Sequence, residues 1–122
     1  MFAFNATVLV VDDEPDMRLY LRACLGAFGV GVVLEAADGV EALRLARTPG
    51  VAAVISDVRM PGLDGIALCE ALKADVATVG IPVLLISGET PGPSSCADGF
   101  LAKPFNASGL REHVDRLLAR PS

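Results

Sequence analysis

Four short apolar runs in this chain end on residues whose chemistry can be combined. Asp12 and Asp13 follow Val8–Val11, Asp57 closes the stretch begun by Val51–Ile55, Ser87 follows Val83–Ile86, and Lys103 follows Phe100–Ala102. If those runs are parallel strands of one open sheet, their carboxyl ends share an edge, and ligands bind in the crevice outside that edge. Three carboxylates crowded there repel one another by on the order of 1–4 kcal/mol per close pair and raise one another's pKa. A shared divalent cation removes the conflict. Hard oxygen ligands with no Cys or His beside them select Mg²⁺, which takes one or two carboxylates together with a phosphate oxygen. One carboxylate can then attack a phosphoryl group while the metal, the ammonium and the hydroxyl neutralise its peripheral oxygens. Asp57 is the candidate nucleophile, because it alone ends the central run. Taken singly, Asp12, Asp57 and Ser87 are equally ordinary cap and turn residues. That reading does not account for all five together.

The elements that must hold these residues are legible as a βαβ alternation. Five runs, Val8–Val11, Val32–Leu34, Val51–Ile55, Val83–Ile86 and the weaker Phe100–Ala102, are short and continuous, as strands covered on both faces are. Between them Met17, Leu21, Cys24, Leu25 and Phe28 fall on one helical stripe, and Leu110, Val114, Leu117 and Leu118 form another near the end. Helix starts are signalled by Pro15, by Asp38 with Glu41 three residues on, by Asp64 and by Asn106. Glu112 and Arg116 form an i,i+4 pair on the exposed side of the last helix. One interval breaks the alternation: Gly88-Glu89-Thr90-Pro91-Gly92-Pro93-Ser94-Ser95 holds two Pro and two Gly where a fourth helix should lie. That helix is expected to be very short or missing, with a mobile loop in its place.

Composition bounds the remaining choices. A chain of 122 residues is one ordinary domain, able to bury roughly two thirds of its unfolded surface. Hydrophobic residues make up 52% and charged residues 20%, which excludes disorder, and no apolar run approaches the roughly 20 residues of a membrane span. The net charge of −5 argues against direct nucleic-acid binding and against an anionic membrane surface. Cys24, Cys69 and Cys96 are too few and too scattered for a zinc site or a disulfide framework, so they read as small core hydrophobes in a reducing, cytoplasmic setting. Nothing at the start reads as a secretory signal. His113, set among Arg111, Glu112 and Asp115, reads as a solvated surface residue. Arg120-Pro121-Ser122 reads either as a free tail or as the start of a linker to a further domain.

Four segments then carry a family resemblance: Val10-Val11-Asp12-Asp13-Glu14-Pro15, Ser56-Asp57-Val58-Arg59-Met60-Pro61-Gly62-Leu63-Asp64-Gly65, Ile86-Ser87-Gly88, and Gly99-Phe100-Leu101-Ala102-Lys103-Pro104-Phe105. Over nearly its whole length, residues 1–122 as one unit, the chain resembles a response-regulator receiver domain of the single-domain chemotaxis type. The resemblance implies an α/β, flavodoxin-like, doubly wound five-stranded parallel sheet in the order 2-1-3-4-5 with helices on both faces. It implies Asp57 as the phospho-acceptor, Asp12, Asp13, Asp57 and the Arg59 backbone carbonyl as Mg²⁺ ligands, and Lys103 and Ser87 on the phosphoryl group. It implies Ser87 and Phe100 as the moving pair of a conformational switch, and a cis peptide between Lys103 and Pro104. The implied donor is a histidine kinase or histidine phosphotransfer protein. The implied output is a partner protein or a C-terminal output domain, and the implied activity is self-phosphorylation and self-dephosphorylation without turnover of an external substrate.

Three departures from the family pattern qualify that picture. Phe100 lacks the hydroxyl of the more usual Tyr, and Gly88 replaces the commoner Ala and opens access to the phosphate. A short or missing fourth helix weakens dimerisation through the usual face, so a monomer or weak dimer is expected, with partners reading the first helix or the loop instead. Two rival readings remain. A phosphatase or phosphotransferase with an aspartyl-phosphate intermediate wants an acid two residues after its nucleophile, where this chain has Arg59. A phosphate-independent binding module would not need Asp12, Asp13, Asp57, Ser87 and Lys103 all in place.

Overall fold

The computed structural model describes residues 6–88 and 96–119. Nine elements follow one another: β1 (Thr7–Val11), α1 (Pro15–Ala27), β2 (Val32–Ala36), α2 (Gly39–Ala46), β3 (Val51–Asp57), α3 (Gly65–Lys73), β4 (Val83–Ser87), β5 (Gly99–Ala102) and α4 (Ala107–Ala119). All strand pairs are parallel, and the sheet order is β2-β1-β3-β4-β5. This is the doubly wound sheet that the apolar runs and the resemblance imply. Asp57 proves to be the last residue of β3 itself, two residues beyond the end of the apolar run, because Ser56 and Asp57 stay in register with Leu85 and Ile86 of β4.

The central strands are buried on both faces, as their unbroken apolar character requires. Alternate residues divide the interior into two cores. Val8, Val10, Ile55, Leu84 and Ile86 face Leu21, Leu25, Leu110 and Val114 of α1 and α4, whereas Leu9, Val11, Val54 and Leu85 face Ala42, Leu68 and Leu72 of α2 and α3. Cys24 lies in the first core and Cys69 in the second, with the half-buried Cys96 packed against the second; all three are free thiols.

The helix starts follow the sequence signals. Pro15 occupies the first turn of α1; Asp38 accepts from the Glu41 N–H at 2.8 Å and Asp64 from the Ala67 N–H at 2.8 Å. Asn106 accepts from the Gly109 N–H at 2.8 Å. Two expectations for α4 are corrected. The Glu112–Arg116 pair takes another form: Arg116 Nε donates to the Glu112 main-chain carbonyl at 3.4 Å, and an i,i+4 ion pair joins Arg111 to Asp115 at 4.0 Å. His113 is half-buried rather than solvated. Gly99 has no side chain to hold it away from β5, and burial together with Arg116 lowers the imidazole pKa. Among the described residues no helix lies between β4 and β5; the expectation for 88–95 falls, apart from Gly88, outside them.

Candidate functional site

The carboxyl edge of the sheet gathers the residues singled out by type and spacing. One carboxylate oxygen from each of Asp12, Asp13 and Asp57 lies within 4.8 Å of the others. Asp12 and Asp57 are only 1% and 7% exposed, while Asp13 is exposed, so the cluster runs from the interior to the surface. Lys103 reaches in from the loop after β5, its Nζ 3.1 Å from Asp57 Oδ1. Ser87, at the end of β4, is 4% exposed, and its main-chain carbonyl accepts from the Lys103 N–H at 2.8 Å, which ties the β5 exit to the β4 end. The Lys103–Pro104 peptide is cis.

Burial is the larger reason that Asp12 is hard to ionise; with the repulsion of Asp57 and Asp13 it outweighs the Glu14 N–H and Lys103, and the pKa rises to about 6. The Glu14 N–H donates to Asp12 Oδ1 at 2.9 Å and fixes that carboxylate's rotation. The main chain of Asp12 is held as well. Its N–H donates to the Ala36 carbonyl at 3.1 Å, and its carbonyl accepts from Arg18 Nη1 at 2.7 Å.

Close packing sets the Asp57 backbone. A Cβ on Gly65 would lie 2.2 Å from the Asp57 carbonyl oxygen, so only glycine lets α3 begin this near the end of β3. The Gly65 N–H donates to the Val58 carbonyl at 2.9 Å and the Val58 N–H to the Ile86 carbonyl at 2.9 Å, which locks the loop after Asp57 to β4. In that loop Gly62 turns the chain at φ 75°.

Residues 8–115 match the model of the response regulator receiver domain. This chain belongs to the response regulator receiver family. The receiver domain is 32% identical over 122 residues to the chemotaxis protein CheY-3 of Vibrio cholerae serotype O1, a match spanning 95% of this chain and 94% of that one. Its fold is shared with the receiver domain of a sensor histidine kinase from Pseudomonas aeruginosa, solved with magnesium coordinated in its active-site cleft: TM-score 0.85, 25% identity, 95% of this chain and 99% of the other covered. The response regulator TrrA of Thermotoga maritima, solved in complex with Mg²⁺-BeF, gives a TM-score of 0.83 at 30% identity, covering 93% and 99% of the two chains.

Around the cluster the receiver domain places the remaining candidates at different depths. Phe100 on β5 is half-buried and packs toward the α2/α3 core, and Leu101 beside it faces the α1/α4 core. Arg59 is exposed on the loop after β3. Phe105, just past the cis peptide, meets Tyr20 of α1 in a tilted contact, 6.0 Å between ring centroids and 53° between planes, and these two rings with Met17, Lys103 and Pro104 line an open groove of about 390 Å³. Sequence reading missed the role of Gly65 and the set around Arg18. Arg18 and Arg22 of α1 both pair with Glu35 of β2, at 3.1 and 2.6 Å, and the Arg22 hydrogen bond is the main cause holding the Glu35 carboxyl below its ordinary range. No spacing rule links residues 18 and 35, because the contact joins two elements.

The donor set suits a hard divalent cation. It consists of three carboxylate oxygens, no thiolate or imidazole contributes among the described residues, and the repulsion of Asp57 and Asp13 adds to burial in raising the Asp12 pKa. No helix among the described residues is long and apolar enough to cross a membrane.

Proposed function

We propose that this receiver domain accepts a phosphoryl group on Asp57 in a reaction that requires Mg²⁺, and that the modified carboxylate changes what a partner protein reads. The observation that carries the reading is the position of Asp57: it ends the central strand, within 4.8 Å of two further carboxylates and 3.1 Å from an ammonium. The magnesium-bound relatives and the family match support it.

Asp12, Asp13 and Asp57 would hold the cation, with the Arg59 main-chain carbonyl as a further oxygen donor. Bound there, it neutralises the carboxylates and the phosphoryl oxygens. The donor is a phosphohistidine of a histidine kinase or histidine phosphotransfer protein. An Asp57 carboxylate oxygen forms the new P–O bond, the P–N bond breaks, and the imidazole leaves with the electron pair. Lys103 follows the negative charge from the carboxylate to a phosphoryl oxygen, and Ser87 donates its hydroxyl to another. Inward movement of Ser87 lets Phe100 turn toward the space vacated, a shift between two packings of the β4–β5 face. Water later hydrolyses the acyl phosphate and restores Asp57, so chemistry is confined to the domain's own carboxylate, in the cytoplasm.

Intact-protein mass spectrometry after incubation with acetyl phosphate tests this. One phosphoryl adduct is expected in the presence of Mg²⁺, none after chelation, and none in Asp57→Ala. An unmodified wild-type chain would leave a phosphate-independent module, and an adduct surviving in Asp57→Ala would move the nucleophile elsewhere.

A further inference from the structure

We propose that Arg18 is a positioning residue for the cation site, acting on the peptide plane that joins Asp12 and Asp13 just past β1; this rests on the metal reading above. Arg18 grips the main chain behind the cluster. Its Nη1 donates to the Asp12 main-chain carbonyl at 2.7 Å and its Nε to Glu35 Oε1 at 3.1 Å. The guanidinium is a planar fork, so fixing one edge on Glu35 directs the other. Its side chain is only 18% exposed, so water competes weakly for either contact.

The geometry explains why that carbonyl matters. In a trans peptide the Asp12 carbonyl and the Asp13 N–H point in opposite directions across a rigid plane. Holding the carbonyl toward α1 and β2 therefore sets the direction in which the chain leaves toward Asp13. Asp12 is also fixed at its own N–H by Ala36 and at Oδ1 by the Glu14 N–H. Asp13 is exposed, and its approach to within 4.8 Å of the other two carboxylates runs against their repulsion. Without Arg18 the carbonyl turns to water, the plane is free to rotate, and the three oxygens spread apart.

Arg22 supplies an internal control. It carries the same charge and pairs with the same Glu35, but its remaining hydrogen bond goes to the Val33 carbonyl at 3.1 Å and not to Asp12. Isothermal titration of the full chain with MgCl₂ compares Arg18→Met and Arg22→Met, each of which loses one charge and keeps an apolar stem. Arg18→Met is expected to weaken Mg²⁺ binding on the order of 10-fold, the lower end for groups that orient ligands, and Arg22→Met by less than about 2-fold. Arg18→Lys keeps the charge but cannot bridge two acceptors as a fork, and its binding is expected to weaken by about 3-fold or more, which decides the matter if Arg18→Met does not fold. Thermal melting without metal, run alongside, reports any purely structural loss. Equal weakening by Arg18→Met and Arg22→Met, or wild-type affinity in either Arg18 variant, overturns positioning and leaves charge or stability. No binding to the wild-type chain overturns the metal reading itself, and the role of Arg18 with it.

Discussion

Asp12 is the residue at which the proposed cation site and the stability of the fold oppose each other. Its pKa in the folded chain is raised to about 6 against an ordinary 3.8, so the folded state binds the proton more tightly than the unfolded state. Stability from this group is therefore full below about pH 4, falls as pH rises toward 6, and is absent above it. A shift of that size corresponds to roughly 3 kcal/mol in the metal-free protein. Asp12→Asn removes the charge and keeps the shape. At pH 7 without metal it is expected to be more stable than the wild type by about 1–3 kcal/mol in urea denaturation, with the difference vanishing near pH 4. A less stable Asp12→Asn at pH 7 would refute that account. Cysteine chemistry is decided at the same scale. Burial pushes the Cys69 thiol up to about 12, so native alkylation at pH 7.5 is expected to leave Cys69 unmodified until urea is added, as peptide mapping would show.

At the scale of elements, two glycines inside helices make opposite predictions. Gly65 opens α3 where a Cβ would meet the Asp57 carbonyl at 2.2 Å, whereas a Cβ on Gly26 in α1 meets nothing within 4 Å. Gly65→Ala is expected to cost about 1–3 kcal/mol through forced displacement of the β3 end, and to reduce Mg²⁺ binding because Asp57 moves with it. Gly26→Ala is expected to add about 0.4–1 kcal/mol by restricting the unfolded chain. Denaturation midpoints of the two variants, read side by side, test both signs. Strand and helix existence was legible because apolar runs and stripes are local patterns, and the caps at Asp38, Asp64 and Asn106 were legible because a cap needs only its next turn. The half-burial of His113 was not: its polar neighbours in sequence suggested solvent, but the empty surface of Gly99 on another element receives it.

For the molecule as a whole, one sheet serves two cores. Leu68 of α3 and Leu110 of α4 are both fully buried, on opposite faces. Truncating either to Ala is expected to cost about 2–5 kcal/mol. Because no partner is shared, the two costs should add to within about 0.5 kcal/mol. Cooperativity carried by the sheet predicts a single transition by circular dichroism and by fluorescence of the lone tyrosine, Tyr20, in each variant. Separate transitions would mean that the two faces fold apart.

The sequence by itself determined the alternation of strands and helices, the edge at which Asp12, Asp13, Asp57, Ser87 and Lys103 had to meet, and, through its four motif segments, the family. Each follows from short-range pattern: an apolar run makes a strand, a parallel sheet puts strand ends together, and polar residues at those ends must converge. Tertiary structure alone decided the distances that make the cluster chemical, the rise in the Asp12 pKa, the need for glycine at Gly65, and the bridge from Arg18 to Asp12 and Glu35. Burial, steric approach and hydrogen bonds between elements depend on how far apart two surfaces pack, and no spacing along the chain encodes that separation.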